Sequence, residues 1–237
     1  LVRLMTKISV HKRSFFSRYY FYFVLLSAVL LMQVPIISIP FKWLESYFHE
    51  ISHGIAAVLT GGEIIRIQLF PNGAGLCTTR GGSRFFISFF GYAGAAIWGM
   101  VYYFMAGLHQ RLTQLFALLL ALMFITTLLL FSRDILTIGI VLFLLALVLI
   151  KLKYSDSFYL RMSLQVTGIM VLLNSIKSPW YLLDGRSLGD GSVLAQQTGI
   201  PEIFWVFCWC VITLAGIVLL AKTNTTHNYG EHSKSHV

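Results

Sequence analysis

The residues best suited to chemistry lie in one short stretch, His49-Glu50-Ile51-Ser52-His53. On a helix, His49 and His53 are four residues apart and therefore share one face. Their imidazoles can then bind one Zn²⁺ ion, and Glu50 beside them can act as a general base toward water. A chain of this composition would contain the His-Glu-x-x-His pattern by chance about 0.004 times. We therefore interpret it as a metal-binding motif rather than as two solvated histidines at a polar helix end.

The motif is surrounded by apolar sequence, with residues 36–41 before it and residues 55–59 after it. Ionisable side chains inside a hydrophobic helix are energetically costly and usually mark a functional site. The stretch therefore predicts a site within the membrane.

The composition indicates a membrane protein. Of the 237 residues, 57% are hydrophobic and 11% are charged, with a mean hydropathy of +0.77, whereas soluble domains carry about 25% charged residues. We expect an all-α polytopic membrane protein with about six to seven apolar helices and a small β-hairpin after the metal-binding helix. The net charge of +9 comes from basic residues at the N-terminus and at span ends, which indicates contact with the lipid bilayer and no nucleic-acid partner. Nothing in the sequence indicates the oligomeric state.

Three regions are expected along the chain. Residues 1–20 are basic and form a cytoplasmic N-terminus by the positive-inside rule. Residues 21–221 form a single transmembrane domain, and residues 222–237 form a polar, disordered tail. Apolar helices are predicted over residues 21–39, 43–60, 85–108, 112–131, 135–150, 160–173 and 204–221. Pro35 and Pro40 should bend or end the first of them. The motif helix can cross the membrane fully or be re-entrant, and the charge distribution does not decide between these courses.

A β-hairpin is predicted directly after the motif helix. Residues 63–70 and 74–79 flank the turn signal Pro71-Asn72-Gly73. An open hairpin cannot face lipid, so it must lie at the interface or in a protein-lined cavity, close to the zinc. Its exposed edge could hold an extended substrate. The alternative is a membrane-surface hairpin without a substrate role.

The other predicted spans serve mainly for packing. Gly91, Ala95 and Gly99 recur every four residues, so this helix face should pack closely on another helix, which we take to be the motif helix. Residues 112–131 and 135–150 are almost purely aliphatic and are assigned to scaffold or lipid contact.

A catalytic zinc needs a third protein ligand. Asp184 and Asp190 both follow an apolar run at a suitable depth. Each could instead be a solvated loop aspartate beside glycine. The residues themselves leave both candidates open.

The two motifs together resemble the site-2 protease family of intramembrane zinc metallopeptidases. In that family the downstream motif is Asn-Pro-x-Pro-x-x-x-Leu-Asp-Gly, and Pro179-x-x-x-Leu183-Asp184-Gly185 matches its second half. The first half differs, because Ile176 and Lys177 stand where asparagine and proline would be.

The resemblance implies that His49, His53 and Asp184 bind zinc and that Glu50 is catalytic. Asp190 and Asn174 are then each either an alternative zinc ligand or a residue that supports the ligands. Asn174 is the nearest asparagine to the family position, two residues early.

Further stretches resemble a compact bacterial branch of this family that has no PDZ domain. They include Gly61-Gly62, Gly91-Tyr92-x-Gly94 and Gly189-Asp190-Gly191, where the branch usually has Ser-Asp-Ala. The resemblance implies a multi-pass protein of the bacterial inner (plasma) membrane that hydrolyses peptide bonds in membrane-spanning or membrane-anchored protein substrates. The alternatives are a non-catalytic membrane scaffold with a vestigial metal motif, or a metal-ion transporter. Residues 112–150 argue against a transporter, because Asp134 is their only carboxylate.

Overall fold

A computed structural model describes residues 19–108, 110–153 and 158–234. The basic N-terminus predicted for residues 1–20 lies almost entirely outside the described residues. Within them, the chain is helical apart from turns and a two-stranded antiparallel hairpin, and this confirms the expected all-α membrane fold with a small hairpin.

The elements follow one another in this order: α1 Tyr19–Met32, α2 Pro35–Leu59, β1 Glu63–Leu69, β2 Gly75–Arg80, α3 Arg84–Gly107, α4 Gln110–Thr126 with a π-helical turn Thr127–Phe131, α5 Ile135–Lys153, α6 Phe158–Lys177 with a 3₁₀ turn Ser178–Leu183, α7 Asp190–Thr198 and α8 Glu202–Lys234.

Four helices in the described part of the chain are long and apolar enough to cross a bilayer alone: α3, α4 with its π-helical turn, α5, and α8 over Glu202–Thr223. The helices α1 and α2 qualify only as a pair, and they are bent by 108°. The protein is therefore an integral membrane protein in which the helix that carries the His-Glu-x-x-His motif belongs to a sharply bent segment.

The apolar run of residues 21–39, which Pro35 and Pro40 are expected to bend or end, breaks between Met32 and Pro35, and Pro40 lies inside α2. Val34 has extended backbone, as expected of a residue before proline, since the proline ring clashes with a helical predecessor. Pro35 then begins α2, where its missing N–H costs nothing. The second half of the predicted span is thus the first part of the motif helix.

The glycines of α3 allow two helices to approach it closely. A Cβ atom at Gly91 or Gly94 would clash with side chains of α2, which confirms the expected packing on the motif helix. Gly99 faces α6 instead of α2, because a Cβ atom there would lie 2.9 Å from Cγ of Leu172 in α6. The helix α6 approaches equally closely, since a Cβ atom at Gly168 would lie 2.7 Å from the backbone nitrogen of Tyr103. The helix α3 is therefore held between α2 and α6.

The helix α8 continues to Lys234, into the segment predicted to be a disordered tail. Residues 235–237 lie outside the described residues.

The hairpin is held by the turn between α4 and α5. Arg66 of β1 forms an ion pair of 3.0 Å with Asp134. The buried N–H of Leu69 donates to Oγ1 of Thr137 over 2.9 Å, and that hydroxyl donates to Asp134 over 3.0 Å. At the hairpin turn, Nε1 of Trp43 in α2 donates to the carbonyl oxygen of Pro71. The aliphatic helices predicted as scaffold thus also fix the hairpin.

Replacing Thr137 by valine should destabilise the protein by about 1–3 kcal/mol, because the buried Leu69 N–H loses its acceptor while the side-chain shape is preserved. Thr137→Ser keeps the hydroxyl and should therefore lose much less stability than Thr137→Val. Thermal unfolding in detergent micelles measures the difference, and equal melting temperatures for the two variants would contradict the assigned role of the hydroxyl.

Candidate metal centre

The motif helix brings the two histidines together on its α3-facing side. Nε2 of His49 and Nε2 of His53 are 2.9 Å apart. Nδ1 of His53 lies 2.7 Å from the carbonyl oxygen of Ile87 in α3, so Nδ1 carries the proton and donates it to this carbonyl. In the neutral form of His53, Nε2 is then the nitrogen that can bind a metal, and it points at His49.

Asp190 completes the group. Its Oδ2 lies 3.2 Å from Nε2 of His49 and 3.3 Å from Nε2 of His53. Among the residues that the structure describes, these three side chains form the one group whose potential metal-ligating atoms all lie within 4.8 Å of one another. Two nitrogen acceptors and a carboxylate oxygen that converge in this way need a proton or a cation between them.

A glycine turn directs Asp190 into the site. Asp190 is the first residue of α7, and Gly189 before it has a φ of +99°. Such a backbone conformation strains any residue with a side chain. A Cβ atom at Gly189 would also lie 2.6 Å from Cδ2 of Leu182. The chain can therefore turn here only because this position is glycine.

Asp184, the ligand implied by the family register, lies elsewhere. Its carboxylate is exposed and accepts hydrogen bonds from the backbone N–H of Arg186 at 3.0 Å and from Nε at 2.6 Å. These hydrogen bonds lower the pKa of Asp184. Of the two candidates open in the sequence, the structure brings Asp190 to the histidines and engages Asp184 with Arg186.

Glu50 is buried beneath the hairpin. A Cβ atom at Gly75 of β2 would lie 2.6 Å from Cγ of Glu50 and 2.7 Å from Oγ of Ser46. The hairpin therefore adjoins the motif, as expected from its place in the sequence.

The helix α3 closes the other side of the site. A Cβ atom at Gly91 would lie 2.6 Å from Nε2 of His53 and 2.8 Å from Cε1 of His49. The ring of Tyr92 lies edge-on to His49, with centroids 4.3 Å apart. The four-residue pattern predicts Gly91 as a packing residue, and it missed this direct contact with the histidines.

Two further buried polar residues are Glu45 on α2 and Asn174 on α6. Glu45 stands one turn before His49 and accepts a hydrogen bond of 2.8 Å from Oγ of Ser178. Sequence reasoning missed Glu45, although its four-residue spacing from His49 on the same helix could have revealed it. Asn174 is buried, and its Nδ2 has no hydrogen-bond partner among the described residues.

A membrane helix bundle that holds His-Glu-x-x-His beside an aspartate has the architecture of a membrane metallopeptidase. A family model described as Peptidase M50B-like matches residues 22–220. The chain therefore belongs to this family, and the resemblance to site-2 proteases is confirmed. Neither the curated proteins nor the solved structures contain a match to the chain.

Replacing Gly91 by alanine should weaken zinc binding at least about tenfold, because the new methyl group displaces both imidazoles. Gly139 in α5 offers a matched control, since a Cβ atom there meets nothing within 4 Å. Zinc affinity is measured by chelator competition in detergent. Unchanged affinity in Gly91→Ala would contradict the close fit of α3 against the histidines.

Proposed function

We propose that the protein is an intramembrane zinc metalloprotease that hydrolyses peptide bonds in membrane-spanning or membrane-anchored proteins. The observation that carries this proposal is the convergence of His49, His53 and Asp190 within 4.8 Å, next to Glu50. Two imidazoles and one carboxylate are a known donor set for catalytic zinc and leave a fourth position open. Membership of a peptidase family supports the reaction type.

The donor set fits zinc in a second respect. The hydrogen bond from Nδ1 of His53 to the Ile87 carbonyl is the kind of outer contact that orients a metal-binding imidazole. When bound, zinc supplies Lewis-acid chemistry, polarising a peptide carbonyl and making water acidic enough to react near neutral pH.

Glu50 is proposed as the general base. It directly follows His49 in the sequence and is buried against Gly75 of the hairpin. Its carboxylate accepts a proton from the attacking water and transfers that proton to the nitrogen of the leaving amine. His49, His53 and Asp190 hold the metal and transfer no proton.

The hairpin is proposed to bind the substrate. Because Gly75 lies against Glu50, with a Cβ atom there 2.6 Å from Cγ of Glu50, the strand β2 runs past the proposed general base. An extended substrate segment that pairs with the edge of β2 would bring its peptide carbonyls to the site. A membrane-spanning helix must first unwind there, since its carbonyls are otherwise hydrogen-bonded within the helix.

The family match over residues 22–220 supports assigning this activity to the predicted domain of residues 21–221. The bacterial inner membrane is the location that we propose for it.

The metal site is tested by the zinc content of purified protein. We expect about one zinc per chain in the wild type and in Asp184→Ala, and a marked loss in Asp190→Ala. The two aspartates are six positions apart in the same loop region, so each variant is a control for the other. Loss in Asp184→Ala with retention in Asp190→Ala would return the ligand role to Asp184. Absence of zinc from the reconstituted wild type would favour a non-catalytic scaffold.

The general base is tested separately with Glu50→Gln. This variant should retain zinc, while cleavage of a single-span reporter protein in proteoliposomes should fall by about 10²- to 10⁴-fold, since the amide cannot accept a proton. Cleavage at the wild-type rate would remove Glu50 from the mechanism.

A further inference from the structure

A second feature of the bundle is a cavity of about 640 Å³ between α1, α2, α5 and α6, which we call the α1–α6 cavity. Its walls include Leu31 of α1, Phe41 of α2, Leu147 of α5 and Val166 of α6. None of the proposed ligands, nor Glu50, lines it.

The cavity follows from the bend between α1 and α2. The two helices diverge by 108° at the break before Pro35, and α5 and α6 border the space that this divergence leaves. The cavity opens toward the outside of the bundle, so a molecule from the membrane can enter it. Water does not fill an apolar cavity readily. In a membrane protein, the hydrocarbon chain of a lipid is the available group that matches such walls.

One charged side chain lines the α1–α6 cavity. Nζ of Lys151 donates to Oγ1 of Thr167 over 3.2 Å and lies 5.8 Å from the ring centroid of Tyr102. No carboxylate in the described part of the chain forms an ion pair with Lys151. A partly buried cation that has only a hydroxyl and an aromatic ring as partners is poorly compensated.

Further positive charge lies at the same helix ends. Lys151 is two residues before the end of α5, where Lys153 is exposed, and Arg161 is exposed near the start of α6. Basic pockets between membrane helices are a common binding site for anionic headgroups.

We propose that the α1–α6 cavity binds one membrane phospholipid with an anionic headgroup, whose acyl chain fills the apolar part while its phosphate contacts Lys151. An acyl chain gains little by leaving the bilayer for equally apolar walls. The charge of Lys151 must therefore supply the selectivity, and anionic lipids should bind in preference to zwitterionic ones. This inference is independent of the proposed proteolysis.

The test uses native mass spectrometry of the full chain in detergent, with phosphatidylglycerol and phosphatidylcholine of identical acyl chains. The wild type should bind one phosphatidylglycerol about fivefold more tightly than phosphatidylcholine. Lys151→Met should lose this preference and Lys151→Arg should keep it. Lys153→Met is the matched control, because this exposed lysine lies two residues further along the same helix and outside the cavity lining.

A variant that fills the cavity distinguishes lipid binding inside the cavity from attraction of lipids to surface charge in general. Leu147→Trp should reduce binding of both lipids while keeping Lys151, and zinc content and the melting temperature report whether the variant is folded. Equal affinity for the two lipids in the wild type would overturn the proposal. The proposal would also be overturned if Lys151→Met and Lys153→Met lost the preference for phosphatidylglycerol equally. Undiminished lipid binding in a folded Leu147→Trp variant would overturn it as well.

Discussion

The close contact between α2 and α3 is the constraint on which the metal centre depends. Two imidazoles on one helix face share a metal only if both rings are held in a fixed orientation. Here the backbone of α3 does this, because Gly91 leaves room for the rings and the carbonyl of Ile87, one turn earlier, accepts the proton of His53. Any side chain at residue 91 would occupy the space that the imidazoles need. The small residues of α3 therefore shape the site as well as the bundle.

The hairpin is the second element that the site requires, and its position is set from outside the motif. Its contact with Glu50 is made by Gly75 of β2. The strand β1 is in turn fixed by Thr137 and Asp134 at the start of α5. A helix pair without any role in the chemistry thus determines where the carboxylate of Glu50 meets the hairpin.

Much of this arrangement could be predicted from the sequence, because local patterns determine it. The motif helix, the Gly61-Gly62 stop and the hairpin turn all follow from spacing and turn chemistry between neighbouring residues. The position of α3 against α2 was also predictable, since small residues four apart mark a close helix contact.

The remaining features depend on the tertiary path of the chain. Asp184 and Asp190 look alike in sequence, and the distinction depends on a positive φ at Gly189 and on a competing cation, Arg186. The break between α1 and α2 falls at Pro35, where the sequence predicts a bend or a helix end, but its angle of 108° depends on tertiary packing. The spacing of Glu45 from His49 could be read from the sequence, whereas its hydrogen bond with Ser178, which is distant in the sequence, could not.

The order of the three proposed ligands along the chain has a consequence for biosynthesis. His49 and His53 are made early, whereas Asp190 is made only after α2 to α6 and the hairpin. Contacts between such distant positions form late, because the intervening chain must be in place first. A ribosome-bound, half-inserted chain would therefore carry the proposed general base without a complete metal centre. Neighbouring proteins in the membrane insertion machinery would be protected from the proposed cleavage until the last helices are in place.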